Sequence, residues 1–211
     1  MKSKQESLES IMKFIKDAGS DDLDTFGGEY VGGVYCQQVP DELAPCLWSL
    51  MAMGVKINAY LEVGAAAGGT TFIFNHYFHP KQVVIVDDNS HPNCVRRAET
   101  LSGIKYSEII DDCHSREAVQ LAGEMGPYDL IILDAVHSYE STRVCVNLYS
   151  PFLAPGGLLF LHDSVWRGGK VDWVVRELQE DKGWEFVGEW ISPTHYANPC
   201  GIAIFRKAVA E

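Results

Sequence analysis

A strand–turn–helix signal at residues 60–71 constrains the fold of this chain more than any other segment. A short apolar strand leads into a turn built only of glycine and alanine, and Thr70 and Thr71 then open a helix. Such a turn lets a ligand approach bare backbone amides at a helix N-terminus. Glu62 lies two residues before Gly64 and disfavours a phosphate ligand, because its carboxylate would repel a pyrophosphate. The same carboxylate can pair with a cationic amine or accept a hydrogen bond from a hydroxyl.

Apolar strand candidates alternate with helical stretches along the rest of the chain. The strands are apolar throughout, which is typical of a sheet buried on both faces. We predict strands at 59–63, 83–86, 107–110, 130–133, 158–161, 184–190 and 201–205, and helices at 70–78, 94–101, 115–124, 139–149 and 171–181. Strand–helix alternation predicts right-handed crossovers and a parallel sheet. The last two strands have no helix between them and predict an antiparallel hairpin at a sheet edge. We therefore expect an α/β fold with a doubly wound, mostly parallel, seven-stranded sheet.

Composition narrows the classes of function. The chain has 211 residues and a formal net charge of −12, which argues against nucleic acid or an anionic membrane as the main partner. No window reaches the ~18 apolar residues of a membrane span. The first 19 residues read as an amphipathic helix and not as a signal peptide. Six cysteines include no C-x-x-C pair, which disfavours a structural zinc site. We expect a reduced, cytoplasmic protein.

Two parts are expected within a single domain. Residues 1–55 predict an N-terminal helical cap and loop, and residues 56–211 predict the ligand-binding core. A helix is expected to begin at Pro40 and end at Met53, because proline and acids favour a first turn. The N-terminal helix and the edge hairpin could each form a homodimer contact.

Polar or acidic groups follow five successive strands. In a doubly wound sheet, ligands bind beyond the carboxyl ends of the strands near the topological switch point, so these groups share one rim. Asp87 lies about twenty residues beyond the glycine turn and suits a ribose diol, with a turn or cap role as the alternative. The rim groups are Glu62 and Gly64, then Asp87, Asp88 and Asn89, then Asp111, Asp112 and Cys113, then Asp134 and His137, and finally His162, Asp163 and Ser164.

These motifs resemble a known family. The E-x-G-x-x-x-G pattern at 62–68 is similar to the first motif of class I S-adenosylmethionine-dependent methyltransferases. The D-x-x-H-x-Y-E segment at 134–140, the G-G-x(4)-H-D segment at 156–163 and the Q-x-P-x-E-L segment at 38–43 are similar to those of one branch. That branch includes macrolide and rhamnosyl sugar O-methyltransferases and cephalosporin-hydroxylase-like proteins.

The resemblance implies S-adenosylmethionine as the cofactor. It assigns the methionine part to the glycine turn, the ribose to Asp87, and the neighbourhood of the adenine to Asp112 and Cys113. This chain has Asp111-Asp112-Cys113 where the family often has Gly-Asp-Ser. The cofactor-binding residues implied are Glu62, Gly64, Ala65, Gly68, Thr70, Asp87, Asp112, Cys113 and Asp134.

The reacting centre is expected at the ends of the fourth and fifth strands. Methyl transfer from a sulfonium is an in-line displacement, so the protein must align the nucleophile and remove its proton. If these strands are neighbours, Asp134 and Asp163 can converge on Mg²⁺, which would lower the pKa of a substrate hydroxyl. The resemblance supports these two metal ligands and His137 as the base, and Asp134 is a second catalytic candidate. His162 stands where the family often has an acid, so it either joins the metal site or points elsewhere.

His137 and Asp163 could instead have purely structural roles. His137 could only cap the helix that begins near Ser138, and Asp163 could only bond loop amides. Among functions, O-methylation of a small-molecule or sugar hydroxyl is favoured over a non-catalytic cofactor-binding protein. A nicotinamide-dependent oxidoreductase is disfavoured, because the turn lacks G-x-G-x-x-G spacing and Glu62 opposes a pyrophosphate. The acceptor pocket is expected from the loops 21–38, 166–170 and 192–200.

Overall fold

A seven-stranded sheet with helices on both faces forms the centre of the protein. The computed structural model describes residues 6–19, 33–165, 168–192 and 200–208. Within these ranges the strands are β1 Ala59–Val63, β2 Gln82–Asp87, β3 Ser107–Ile110, β4 Tyr128–Leu133, β5 Leu153–His162, β6 Trp184–Trp190 and β7 Ile202–Lys207. The helices are α1 Leu8–Gly19, α2 Pro40–Ala52, α3 Gly69–Phe78, α4 Arg97–Thr100, α5 Arg116–Met125, α6 Tyr139–Tyr149 and α7 Val171–Glu180. Short 3₁₀ segments occupy Pro92–Arg96 and Ser150–Phe152.

The strand order is β3-β2-β1-β4-β5-β7-β6. Strands β1 to β5 pair in parallel, and β7 pairs antiparallel with both β5 and β6. Chain order reverses between β1 and β4, so the carboxyl ends of these neighbours form the switch point at which a doubly wound sheet binds ligands. The predicted fold class and the antiparallel C-terminal hairpin are confirmed.

Side chains on the two faces of the sheet pack into two hydrophobic cores. Along β1, Tyr60 points into the core shared with α2 and α3, whereas Leu61 and Val63 point into the core shared with α5, α6 and α7. This alternation follows from the two-residue period of a strand and explains why β1 is apolar on both faces apart from the buried Glu62. Helix α1 packs on α2 and buries Ile11 and Ile15 completely. The N-terminal helices therefore share a core with the sheet, and the boundary at residue 55 stays a prediction.

Several element bounds differ from the prediction. The helix predicted at 94–101 is a 3₁₀ turn over Pro92–Arg96 followed by the four-residue α4. The amide of Cys94 donates to the carbonyl of His91, three residues back, which is the tighter 3₁₀ spacing. Strand β5 is longer than 158–161 because it begins at Leu153, and a register shift against β4 accommodates its proline and glycines.

Some expectations concern residues that the structure does not describe. Most of the acceptor loops at 21–38 and 192–200 lie outside the described ranges, as do residues 166 and 167 of the loop at 166–170. Among the helices that are described, none is long and apolar enough to cross a membrane.

Candidate active site

A cavity of about 350 Å³ lies at the carboxyl ends of β1, β2, β4 and β5. It occupies the switch point, as expected for a doubly wound sheet. Of the residues predicted to bind the cofactor or a metal or to act in catalysis, only Gly68 is absent from its lining: it caps α3 and packs against Leu101, whose Cγ lies 3.0 Å from where a Cβ would stand. The predicted rim groups Asn89, Asp111 and Ser164 are also absent from the lining. The predicted residues that line the cavity are Glu62, Gly64, Ala65, Thr70, Asp87, Asp112, Cys113, Asp134, His137, His162 and Asp163.

The glycine turn brings two backbone segments into close contact. Gly64 has a φ of +85°, and a Cβ at this position would come within 2.4 Å of the carbonyl oxygen of Asp134. Its amide donates to Val86 across β2, at 2.9 Å. Only glycine suits both the left-handed backbone and this contact. The turn therefore forms a bare backbone wall, and α3 begins beside it at Gly69.

Glu62 is fully buried and lines the same cavity. The Tyr60 hydroxyl donates to its Oε2 at 2.6 Å, and the Thr71 hydroxyl donates to the same oxygen. Within the described residues, the other oxygen, Oε1, has no hydrogen-bond partner. Burial raises the pKa of the Glu62 carboxyl to about 7. A buried acceptor without a partner is costly, so Oε1 is suited to a ligand that brings its own donor or positive charge.

Both carboxylate oxygens of Asp87 already contact other groups of the protein. Its Oδ2 accepts from the amides of Ala65 and Ala66, at 2.8 and 2.9 Å, and its Oδ1 lies 2.8 Å from a guanidinium nitrogen of Arg97. Arg97 also donates to the Ala66 carbonyl at 2.8 Å. Asp87 and Arg97 therefore brace the glycine turn. The assignment of Asp87 to a ribose stays a prediction, and the next carboxylate, Asp88, also lines the cavity.

The rim after β3 carries the residues expected near an adenine. Asp112 accepts from the amide of His114 at 2.7 Å, and its carboxylate lies 3.1 Å from Nδ1 of the same histidine. The Tyr149 hydroxyl donates to the carbonyl of Cys113 at 2.8 Å, which fixes the loop against α6. Both Asp112 and Cys113 face the cavity, so their placement agrees with the expectation, although no adenine contact is tested.

Two histidines and two aspartates form a cluster at the ends of β4 and β5. We call Asp134, His137, His162 and Asp163 the His–Asp cluster. His137 Nδ1 lies 2.5 Å from Oδ2 of Asp163, and His162 Nδ1 lies 2.8 Å from Oδ1 of Asp134. Gln38 Nε2 donates to the other oxygen of Asp134 at 2.8 Å. The neighbouring strands therefore bring these groups together as the sequence predicts.

The two aspartates of the His–Asp cluster raise the pKa of both imidazoles. Burial opposes a charge on His162, but the carboxylates of Asp134 and Asp163 outweigh it and raise the pKa of His162 to about 10. Burial also opposes a charge on His137, and the hydrogen bond to Asp163 with the charge of Asp134 raises its pKa above the ordinary value. For Asp163, burial is outweighed by the charge of His162 and the bond to His137, so the pKa is lowered.

The purely structural roles considered for His137 and Asp163 do not match their observed contacts. Ser138 caps α6, since its hydroxyl accepts from the Ser141 amide at 3.2 Å, so His137 is left free of the cap. Asp163 pairs with His137 instead of only bonding loop amides. Asp163 also has a φ of +58°, an uncommon backbone state outside glycine that is often found at functional sites.

The sequence did not single out several cavity residues. Gln38 lines the cavity and lies in the Q-x-P-x-E-L segment, which was the available signal for it, whereas Glu42 of the same segment is not part of the lining. Glu42 is buried and accepts from the amides of Ser192 and Gly201, at 2.9 Å each, so it fastens the C-terminal hairpin to α2. His91 and His114 carried no sequence message, because isolated polar residues in turns have no periodicity. The unassigned lining residues are Tyr35, Gln37, Gln38, Ala66, Gly69, Val86, Asp88, Ser90, His91, His114, Ala135, Val136 and Cys200.

Comparisons with known proteins agree with this geometry. Residues 61–164 match the model of a family described as a methyltransferase domain. Demethylmacrocin O-methyltransferase of Streptomyces fradiae is 28% identical over 106 residues, which are 48% of this chain and 25% of that protein. The chain therefore matches about a quarter of the length of this curated relative.

Solved structures show the same fold. An O-methyltransferase from Bacillus cereus in complex with S-adenosylhomocysteine superposes with a TM-score of 0.63 at 12% identity, covering 98% of this chain and 93% of that one. MycE methyltransferase from the mycinamycin biosynthetic pathway, in complex with Mg, S-adenosylhomocysteine and mycinamycin VI, has a TM-score of 0.53 at 20% identity, covering 73% and 45% of the two chains.

The fold, the glycine turn at the switch point and the matched domain are consistent with one another. Residues 61–164, just under half of the chain, are similar to a methyltransferase domain, as the sequence motifs predict.

Proposed function

We propose that this protein transfers a methyl group from S-adenosylmethionine to a hydroxyl oxygen of a small molecule, with a sugar or glycosylated metabolite as the favoured acceptor class. The observation that carries the proposal is the His137–Asp163 pair at 2.5 Å, located on the rim of the cavity that the glycine turn and Glu62 also line. Macrolide O-methyltransferases among the similar proteins support an oxygen acceptor on a small molecule.

The cavity suits this cofactor on two observations. Gly64 lines the cavity without a side chain, and Glu62 Oε1 is a buried acceptor without a partner in the described chain. Glu62 would hold the amine of the methionine part, with Gly64, Ala65 and Thr70 beside it. Asp87 or Asp88 would meet the ribose, and Asp112 and Cys113 the adenine. When bound, S-adenosylmethionine supplies an electrophilic methyl group on a positively charged sulfur.

The protein must then hold an acceptor hydroxyl and remove its proton. His137 is the proposed base: Asp163 bonds Nδ1, so Nε2 is the nitrogen that can face a substrate. With 45% of its side chain exposed, His137 can reach an acceptor while Asp163, at 5%, remains buried and orients it. Asp134 lies 4.0 Å from His137 Nδ1 and stabilises the imidazolium that forms. This arrangement is the base-and-orienter pattern of acid–base catalysis.

A metal-assisted route is the second candidate, with Asp134, Asp163 and His162 as ligands. The Mg in the MycE complex favours it. The donor set of this chain suits Mg²⁺ poorly, because Mg²⁺ prefers oxygen ligands and one of the three donors is an imidazole. The oxygens of Asp134 are also engaged by His162 and Gln38, and one oxygen of Asp163 is engaged by His137. The donor set therefore favours the metal-free route through His137.

The experiment that tests the proposal separates binding from transfer. Calorimetric titration of the full chain with S-adenosylhomocysteine and with NAD⁺ distinguishes a methyltransferase from a nicotinamide enzyme. We expect S-adenosylhomocysteine to bind and NAD⁺ not to bind. A panel of hydroxylated and glycosylated small molecules is then incubated with radiolabelled S-adenosylmethionine. Label transferred to oxygen supports the proposal. Tight binding with no transfer to any hydroxyl supports the non-catalytic alternative instead.

Two further expectations accompany this function. The protein would act in the cytoplasm, where the cofactor is available and the cysteines stay reduced. A homodimer would use α1 or the edge strand β6, which present the partly exposed Leu8 and Phe186. Light scattering of the purified chain tests the oligomeric state.

A further inference from the structure

Two cysteines and a histidine from two separate segments of the chain lie together beside the cavity. Cys113 and His114 lie in the loop after β3, and Cys145 lies on the inward face of α6. The two sulfur atoms are 3.7 Å apart. Nε2 of His114 is 3.5 Å from the sulfur of Cys145 and 3.9 Å from that of Cys113. The two sulfur atoms and Nε2 of His114 therefore form a nearly equilateral triangle.

We propose that Cys113, His114 and Cys145 form a binding site for Zn²⁺. Zinc in proteins takes thiolate and imidazole ligands at ~2.3 and ~2.0 Å in a tetrahedron, whose sulfur–sulfur and sulfur–nitrogen edges are then ~3.8 and ~3.6 Å. The observed separations of 3.7, 3.5 and 3.9 Å match these edges within a few tenths of an ångström. A zinc ion above the triangle would require the His114 ring to turn, because Nδ1 of His114 lies 3.8 Å from the Cys113 sulfur, as close as Nε2.

The residues around the triangle support a metal ligand role for His114. The carboxylate of Asp112 lies 3.1 Å from Nδ1 of His114. A zinc-bound histidine commonly donates its other ring nitrogen to a carboxylate, which fixes the tautomer and leaves Nε2 free to bind the ion. Here Nε2 lies 3.5 Å from the Cys145 sulfur, and both ring nitrogens of His114 lie within 3.9 Å of the Cys113 sulfur. The Ser141 hydroxyl, 2.9 Å from Nε2, stands where it or a water molecule would supply the fourth ligand.

The site also has an entry path. Both cysteines are buried, while the side chain of His114 is 32% exposed and lines the cavity with Cys113. An ion would reach the sulfurs past His114, and once bound it would tie the loop after β3 to α6. That loop is the predicted wall for an adenine, so zinc would stiffen one end of the cavity. The His–Asp cluster is separate from this site and takes no part in it.

The test uses Co²⁺ as a spectroscopic substitute for zinc on the full chain. The protein is stripped with a chelator, kept reduced with a phosphine, and titrated with Co²⁺ and then Zn²⁺. We expect a thiolate-to-cobalt charge-transfer band that saturates at one equivalent and is removed by one equivalent of Zn²⁺. Zinc should also raise the thermal unfolding midpoint, because it binds only the folded protein.

Variants decide where the ion binds. Cys145→Ala should abolish the band, whereas Cys46→Ala, a matched change at a buried cysteine in the core on the other face of the sheet, should retain it. His114→Ala changes a partly exposed side chain, so it should fold normally and bind Co²⁺ at least tenfold more weakly. Cys200 lies near His162 and Asp163 and offers another thiol. A band that survives Cys145→Ala and disappears in Cys200→Ala, or no band in the wild type, overturns the proposal.

Discussion

The two ends of the cavity solve the problem of buried polar groups in different ways. At the glycine turn, Asp87 is neutralised by Arg97 and backbone amides, and Glu62 keeps one oxygen without a partner in the described chain. At the His–Asp cluster, Asp134 and His162 pair with each other, and so do His137 and Asp163. The first end is a rigid receptor with one unused acceptor. The second end is a set of titratable groups held within ion-pair distance of one another.

The two ends of the cavity should determine different quantities, namely cofactor affinity and transfer rate. A rigid backbone wall with one orphan acceptor should set cofactor affinity, because it changes little between the empty and bound states. A titratable cluster should set the rate, because its work is to move a proton. The predictions below challenge this division.

The largest effect is expected from removing the base. His137→Ala should lower the methyl-transfer rate by about 10²- to 10⁴-fold, the usual contribution of a positioned general base. Affinity for S-adenosylhomocysteine should stay close to wild type, since His137 belongs to the rate-setting end. The matched control is His91→Ala, which changes another cavity-lining histidine outside the His–Asp cluster. Normal turnover by His137→Ala would refute the assignment.

Gly64→Ala should damage the receptor end. Its Cβ would stand 2.4 Å from the carbonyl oxygen of Asp134, so β1 and β4 must separate. We expect a loss of roughly 3 kcal/mol or more in the free energy of unfolding, measured with urea, and a loss of S-adenosylhomocysteine binding. Gly54→Ala is the control, because Gly54 also has a positive φ, +71°, but no atom within 4 Å of a Cβ. It should cost only about 1 kcal/mol from backbone strain. Equal costs in the two variants would mean that the close contact at Gly64 does not matter.

The pH dependence of binding tests Glu62. Its pKa is raised from 4.5 to about 7, so it is mostly neutral at pH 6 and mostly ionised at pH 8. A cationic amine prefers the ionised form, so affinity for S-adenosylhomocysteine should rise by about tenfold from pH 6 to pH 8. Ligand-free stability has the opposite sign, because the buried charge is unfavourable: it should fall as the pH rises from 4.5 through 7. Glu62→Gln should flatten both profiles, with the exposed Glu99→Gln as control. A binding profile unchanged by Glu62→Gln would exclude the amine contact.

The smallest expected effect is that of metal removal. Since the donors of the His–Asp cluster suit Mg²⁺ poorly, EDTA should leave the transfer rate within about twofold of its value without chelator. Adding Mg²⁺ back is the control for inhibition by EDTA itself. A rate that collapses with EDTA and returns with Mg²⁺ would establish the metal-assisted route instead.

Local signals in the sequence determined much of the fold. The strand and helix periods located β1, β3, α6 and β6 at their observed bounds, because burial on one face or two repeats along the chain with a fixed spacing. The glycine turn and the rim acids were also readable, since a positive φ and the end of a strand are local properties. Knowing that strands β4 and β5 are neighbours was enough to place Asp134 near Asp163.

Only the tertiary structure decided which partner each side chain has. In sequence Asp87 reads as a ribose ligand or as a turn or cap residue, and the structure adds that it pairs with Arg97, because a helix that begins ten residues further on packs back against it. Cys113 and Cys145 lie 32 positions apart and show no metal-binding spacing, but the packing of α6 against the loop after β3 brings their sulfurs to 3.7 Å. Hydrogen bonds and ion pairs depend on distances of a few ångströms across separate elements, and no repeat in the chain encodes those distances.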